Sequence, residues 1–384
     1  MHETGIEGYY TLKDGKKLRF GYTTGTCAAA AAKAAALMLA TGQEVETVDI
    51  MTPKGIALNL EILEAKRDEN SAVCAVKKFS GDDPDVTNGV LVYARAELKK
   101  EPGIEIDGGE GVGRVTKPGL KQNIGEAAIN PVPMQMIRQE AERVAEDYGV
   151  TAGMKIVISI PAGVELAKRT FNPRLGIVGG ISVLGTSGIV EPMSEAALVE
   201  SIGLELRQKY ALGCRRVIIA PGNYGTDFIR SLCYMEESEL VKCSNYIGQT
   251  IDMAVETGFK ELFFVSHIGK FIKVAGGIMN THSKEADSRA ELMAACALRA
   301  GCTAETALKI LDCLTTDEML KTLQEAGKLR ETMAIAGERI DYYLNYRAKG
   351  QITIGALVFS NEQGILCTTG PAQAWLDELK EQTK

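Results

Sequence analysis

The sequence has little of several residue types, and each shortage narrows what the chain can do. Its 384 residues include one tryptophan and three histidines, and none of its nine cysteines forms a C-x-x-C pair. A scattered, odd-numbered cysteine set points to a reducing compartment. The opening stretch MHETGIEGYYTLKDG lacks a basic segment followed by an apolar one, and no apolar run approaches the roughly 20 residues that span a bilayer. The chain therefore reads as cytosolic and without a membrane partner. Excess basic charge is missing too: a formal net charge of -7 argues against non-specific nucleic-acid binding, which rests on clustered Lys and Arg. Any anionic ligand has to be met by local positive charge.

What is present is a hydrophobic share of 45%, enough to fill two cores at this length. Thr23, Thr24 and Thr26 precede an alanine-rich run from Cys27 to Ala40, so a capped helix that Gly42 ends is expected there. Apolar segments at 45–51, 56–63 and 72–79, broken by turn residues, predict an antiparallel meander, followed by a strand at 90–98 and a helix at 134–148. Residues 1–150 thus read as an α+β domain with antiparallel strands.

From residue 155 the pattern changes to apolar strands running into glycine-rich loops, at 155–163, 181–188, 216–225 and 262–270. Helices are expected near 194–211, 226–234 and 244–257, then across 287–345, before two late strands at 352–359 and 364–369. Residues 151–384 therefore read as a three-layer α/β domain with a largely parallel sheet.

Ligands of open α/β sheets bind outside the carboxyl ends of the strands. Three loops fit such a place, and two of them, Gly185-Thr186-Ser187-Gly188 and Gly222-Asn223-Tyr224-Gly225, in succession suggest a nucleotide or nucleoside site as well as tight turns. Neither has P-loop or G-x-G-x-x-G spacing, which disfavours an ATPase or a dinucleotide dehydrogenase. Glu191 could accept from ribose hydroxyls or sit at a helix start beside Pro192. The segment 266–283 holds His267 and His282, with Lys270 and Lys273 as carboxylate partners; no carboxylate or cysteine stands in ligand spacing, so no protein-held metal is expected. Further basic candidates are Arg114, Lys117, Lys168, Arg169 and Arg174. Asp82, Asp83 and Asp85 make either an acidic turn around Pro84 or a proton-transfer group. Cys27, in the first turn of the alanine helix, reads as buried packing rather than as a nucleophile.

Five stretches resemble one family: LRFGYTTGTCAAAAAKAA (18–35), SGDDPDVTNG (80–89), GEGVGRVTKPGL with AINPVP (109–120 and 128–133), GGISVLGTSGIVEPMS (179–194) and SHIGKFIKVAGGIMNTHS (266–283). Along nearly its whole length the chain is similar to the cobalt-precorrin-5B C1-methyltransferases of anaerobic cobalamin biosynthesis. It departs from that pattern at Asn88, Ala127 and Met134. The resemblance implies S-adenosyl-L-methionine as methyl donor and a cobalt-corrinoid substrate that brings its own cobalt, with homo-oligomerisation and transient contact with neighbouring pathway enzymes as further expectations. On that basis Gly185, Thr186, Ser187, Gly188, Glu191, Gly222, Asn223, Tyr224 and Gly225 are candidates for the donor. Thr23, Thr24, Gly25, Thr26, Arg114, Lys117, Arg169, Arg174, His267, Lys270, Lys273 and His282 are candidates for the substrate. Asp82, Asp83 and Asp85 are the candidate proton-transfer residues. The alternative is a non-catalytic carrier of corrinoid intermediates.

Overall fold

The computed structural model describes residues 3–13, 15–233 and 239–382. The chain forms two compact units, residues 1–194 and 195–384.

Unit 1 begins with the hairpin β1 (Tyr10–Lys13) and β2 (Lys16–Arg19), the short strand β3 (Gly21–Tyr22) and the helix α1 (Thr24–Thr41). A second hairpin, β4 (Thr47–Met51) and β5 (Ala57–Glu61), leads to β6 (Leu63–Arg67), β7 (Ser71–Lys77), β8 (Leu91–Lys99) and β9 (Ile104–Gly108). After β10 (Gly111–Val112), β11 (Arg114–Val115) and α2 (Pro131–Asp147), strand β12 (Gly153–Ser159) enters the main sheet, in the order β6-β7-β8-β12-β9. The unit closes with α3 (Gly163–Leu166), β13 (Ile177–Val178), β14 (Gly180–Ile181) and β15 (Ile189–Val190).

Alanine explains how α1 is used. Residues Ala28–Ala32 and Ala34–Ala36 are all fully buried, because α1 packs against both α2 and strands β7 and β8, and only a small side chain permits close approach on two sides. Its one charged residue, Lys33, reaches Glu140 at 2.9 Å and the Asp49 carbonyl at 2.7 Å. By length and composition α1 could cross a membrane, yet 78% of it is buried inside the protein, so core packing accounts for its apolarity.

Unit 2 runs α4 (Glu195–Ala211), β16 (Arg216–Ala220), α5 (Asn223–Leu232), β17 (Leu240–Lys242), α6 (Ile247–Thr257), β18 (Glu261–His267) and α7 (Ile268–Val274). Four helices follow, α8 (Arg289–Arg299), α9 (Ala304–Asp312), α10 (Thr316–Glu325) and α11 (Leu329–Ala348), then β19 (Thr353–Ser360), β20 (Gly364–Thr369) and α12 (Ala372–Gln382). Its sheet has the order β17-β16-β18-β19-β20, parallel except for β20. Alternate residues feed two cores. Val217, Ile219, Leu262, Phe264 and Ala356 pack with α6, α7, α8 and α11, while Ile218, Ala220, Phe263, Val265 and Phe359 pack with α5 and α12. The unit is a three-layer α/β structure, as the strand-loop-helix pattern predicts.

The expected boundary at residue 150 is corrected. Segment 155–163 supplies β12, which pairs antiparallel with β8 and parallel with β9 in the first unit, so it does not open the parallel sheet. The expected strand at 181–188 shrinks to Gly180–Ile181 and continues as a loop, also in the first unit. The helix expected at 226–234 starts at Asn223 and ends at Leu232; Tyr234 lies outside the described residues.

Candidate functional site

In unit 1 the threonine loop and GTSG turn out to be one structure. Strands β3 and β15 pair antiparallel, Tyr22 opposite Ile189, which lays the Leu184–Gly188 loop over the start of α1. The Thr23 hydroxyl caps the helix by accepting from the Thr26 N–H at 3.2 Å. Thr26 donates to the Gly188 carbonyl at 2.7 Å, and the Gly25 N–H donates to the Leu184 carbonyl at 3.0 Å. Thr24 Oγ1 lies 3.2 Å from that same carbonyl. All three threonines are buried. The groups that could cradle an anion are thus engaged within the protein, and the loop acts as a clamp on the helix. Gly185, at φ 135°, is required there, since a Cβ would stand 2.2 Å from Thr23 Oγ1. Ser187 bonds the Ile189 carbonyl at 3.0 Å, Thr186 is exposed, and Glu191 pairs with Lys54.

The acidic turn is similarly engaged. Asp82 accepts from Arg19, which holds its carboxyl below the usual range. Asp83 accepts from the Met193 N–H at 3.0 Å. Burial raises the Asp85 carboxyl, but the buried Lys78 ammonium and bonds from Thr87 more than offset it, leaving it lowered. Arg114 makes a two-pronged pair with Asp107 at 2.7 and 3.0 Å. Lys117 lies over Gly176 and is exposed, as is Arg169; Arg174 stacks on the exposed Phe171 ring at 5.6 Å. Lys168 is exposed too but pairs with Glu165 at 2.8 Å.

In unit 2 the order β17-β16-β18 sets the site. The connection after β16 runs to α5 on one face and the connection after β18 runs to α7 on the other, so a crevice opens between their carboxyl ends. Gly222-Asn223-Tyr224-Gly225 and His267-Ile268-Gly269-Lys270 occupy those ends. A Cβ on Gly222 would sit 3.7 Å from Lys270 Nζ, so the two loops adjoin. Lys270 donates to the Pro221 carbonyl and to the Ser244 carbonyl at 3.4 Å, and burial lowers its pKa. No carboxylate pairs with it among the described residues. Its ammonium and the start of α5 together suit a carboxylate.

His267 caps α7 by accepting the Gly269 N–H on Nδ1 at 3.1 Å, and its ring lies 6.0 Å from the exposed Tyr224 ring. Burial lowers its pKa, with Asp317 opposing. Lys273 is buried and donates to the Ala286 and Thr281 carbonyls at 2.7 and 3.3 Å, which makes it a structural tie rather than a ligand contact. His282 is exposed and accepts from the Lys284 N–H in a turn. No group of three or more His, Cys, Asp or Glu side chains that could hold a metal ion occurs among the described residues.

Sequence reasoning missed a groove of about 620 Å³ between α4 and α6, lined by Glu195, Glu200, Arg207, Tyr246, Met253 and Met279 among others. Its lining comes from stretches far apart in the chain, around residues 195–207, 246–253, 279–280 and 347, which no single motif displays. Burial first, and the Glu195 carboxylate second, raise the Tyr246 phenol.

Residues 11–192 match the CbiD family and residues 280–370 match the family described as CbiD, C-terminal domain. The chain is 47% identical to the cobalt-precorrin-5B C(1)-methyltransferase of Thermoanaerobacter sp. (strain X514), over 95% of this chain and 99% of that protein. It is 49% identical to the protein of that name from Ruminiclostridium cellulolyticum, over 92% of this chain and 91% of the other. A crystal structure of the cobalamin biosynthesis protein cbiD from Archaeoglobus fulgidus is 27% identical, covering 84% of this chain and 89% of that one, with a TM-score of 0.39. Matches of this extent to both halves, with relatives near half identity along the whole chain, place it: the chain belongs to the CbiD family.

Proposed function

We propose that the chain transfers a methyl group from S-adenosyl-L-methionine to ring carbon C1 of cobalt-precorrin-5B, giving cobalt-precorrin-6A, in the cytoplasmic, anaerobic route to cobalamin. The observation that carries this is the near full-length relationship to proteins bearing that activity in their names. The crevice of unit 2 supports it. Lys270 and the start of α5 fit the carboxylate of the donor's amino-acid end, and the exposed Tyr224 ring offers a π face to a sulfonium cation. When bound, the donor supplies an electrophilic methyl with a good leaving group. The protein's work is then to hold methyl and carbon in line and to exclude water.

Such a displacement needs no dominant acid–base pair, which agrees with Asp82, Asp83 and Asp85 all being tied to partners in the fold. The corrinoid is a macrocycle fringed with carboxylates and carries its own cobalt. Lys117, Arg169 and Arg174 are the exposed cations that suit it. Arg114 is committed to Asp107, and the buried threonines of α1 to the clamp, so these are poorer partners.

Donor binding separates this reading from a carrier of corrinoid intermediates, which needs no donor. Calorimetry with S-adenosylhomocysteine should show binding to the wild type, weakened about tenfold or more in Lys270→Met through loss of a charge-assisted hydrogen bond. A wild type with no affinity for the nucleoside would leave the carrier.

A further inference from the structure

The groove between α4 and α6 has the size and lining to take a small molecule. Its volume of about 620 Å³ lies in the range of small-molecule sites. The Tyr246 ring and the thioethers of Met253 and Met279 supply flat, polarisable walls suited to a heteroaromatic ring. Glu195 and Glu200 add carboxylates from α4, acceptors of the kind that hold a vicinal diol. The charge balance narrows the choice further. Arg347 is matched by Asp252, so two carboxylates share the groove with a single guanidinium, Arg207, that has no ion-pair partner among the described residues. A phosphorylated nucleotide is therefore disfavoured, and an uncharged nucleoside or one attached to a cation is favoured.

The groove is also built rather than incidental. Tyr246 bridges Asn280, and the Gly248 N–H donates to the Met279 carbonyl at 3.1 Å, which fixes the Met279 wall against the start of α6. Gly248 permits that approach, because a Cβ there would lie 2.8 Å from Met279 Cβ. Tyr246 stands two residues beyond Ser244, whose carbonyl accepts from Lys270. The groove thus adjoins the crevice between β16 and β18.

We propose that this groove receives the ribonucleoside end of the methyl donor, with Glu195 and Glu200 on the ribose diol and the base against Tyr246, Met253 and Met279. This rests on the methyl-transfer reading. The test uses the full-length chain and calorimetry with S-adenosylhomocysteine, adenosine and 2′,3′-dideoxyadenosine. Ala196→Trp, at an exposed position lining the groove, should weaken S-adenosylhomocysteine about tenfold or more by filling the space. Glu200→Gln should weaken S-adenosylhomocysteine and adenosine severalfold while leaving the dideoxy compound unchanged. If the wild type binds S-adenosylhomocysteine and both variants, with native unfolding midpoints, bind it within about twofold of the wild type, the groove assignment is overturned and the methyl-transfer reading stands. Should Ala196→Trp fail to fold, the surface variant Glu200→Gln decides by itself. A wild type that binds none of the three compounds overturns the donor reading and this inference with it.

Discussion

At the residue scale, the polar groups of the acidic turn hold the fold together. Lys78 is only 3% exposed and relies on Asp85, Ser80 and little else. Asp85→Ala leaves that ammonium buried and uncompensated, and a loss of about 3 kcal/mol is expected at neutral pH, read from denaturant unfolding. The Asp85 carboxyl titrates below its ordinary value in the folded protein, so its contribution is full above the unfolded value of about 3.9 and vanishes as pH falls through the folded one. The stability gap between wild type and Asp85→Ala should therefore narrow on acidification below about pH 4; a gap that widens as the carboxyl protonates contradicts the pairing. Cys27 makes a second case. Burial pushes its thiol up to about 12, whereas Cys214 is exposed. Alkylation of the native protein at about pH 8, followed by mass spectrometry, should label Cys214 and leave Cys27 untouched until the chain is unfolded. The packing role of Cys27 was legible from the alanines around it. The fate of the aspartates was not, because Lys78 and Arg19 stand outside the motif that displays them.

At the element scale, α1 and the loop over it stand or fall together. The helix start was readable from Thr23, Thr26 and the alanine run, since capping chemistry is local. What the hydroxyls bond to was hidden, as Gly188 and Leu184 are distant in sequence. Gly185→Ala places a Cβ against Thr23 in a backbone conformation that disfavours side chains, and a loss of about 2 kcal/mol or more is expected. Thr23→Ala, which removes the cap, should cost about 1 kcal/mol. Thermal unfolding of the two variants should rank Gly185→Ala as the worse. The reverse order would mean that the loop yields and that the clamp is incidental. The parallel strands β16, β18 and β19 were likewise legible as apolar runs, while β17 was too short to register; the groove beside Tyr246 was hidden because its walls come from distant stretches of the chain.

At the scale of the whole molecule, strand periodicity identified the α/β character but misplaced the boundary. Segment 155–163 is as apolar as a parallel strand because β12 lies inside a sheet, between β8 and β9, with its buried face under α1. Composition carries no record of which sheet a buried strand joins. The consequence for the site is concrete: GTSG and GNYG belong to different units, and the crevice of unit 2 is built from GNYG and HIGK instead. The central claim is catalysis of methyl transfer. It is tested most directly by anaerobic incubation of the protein with cobalt-precorrin-5B and S-adenosylmethionine carrying a ¹³C-methyl group, followed by mass and carbon resonance of the corrinoid. The account predicts one added labelled methyl, located on C1. Recovery of unmodified corrinoid bound to the protein, with the donor intact, would contradict it.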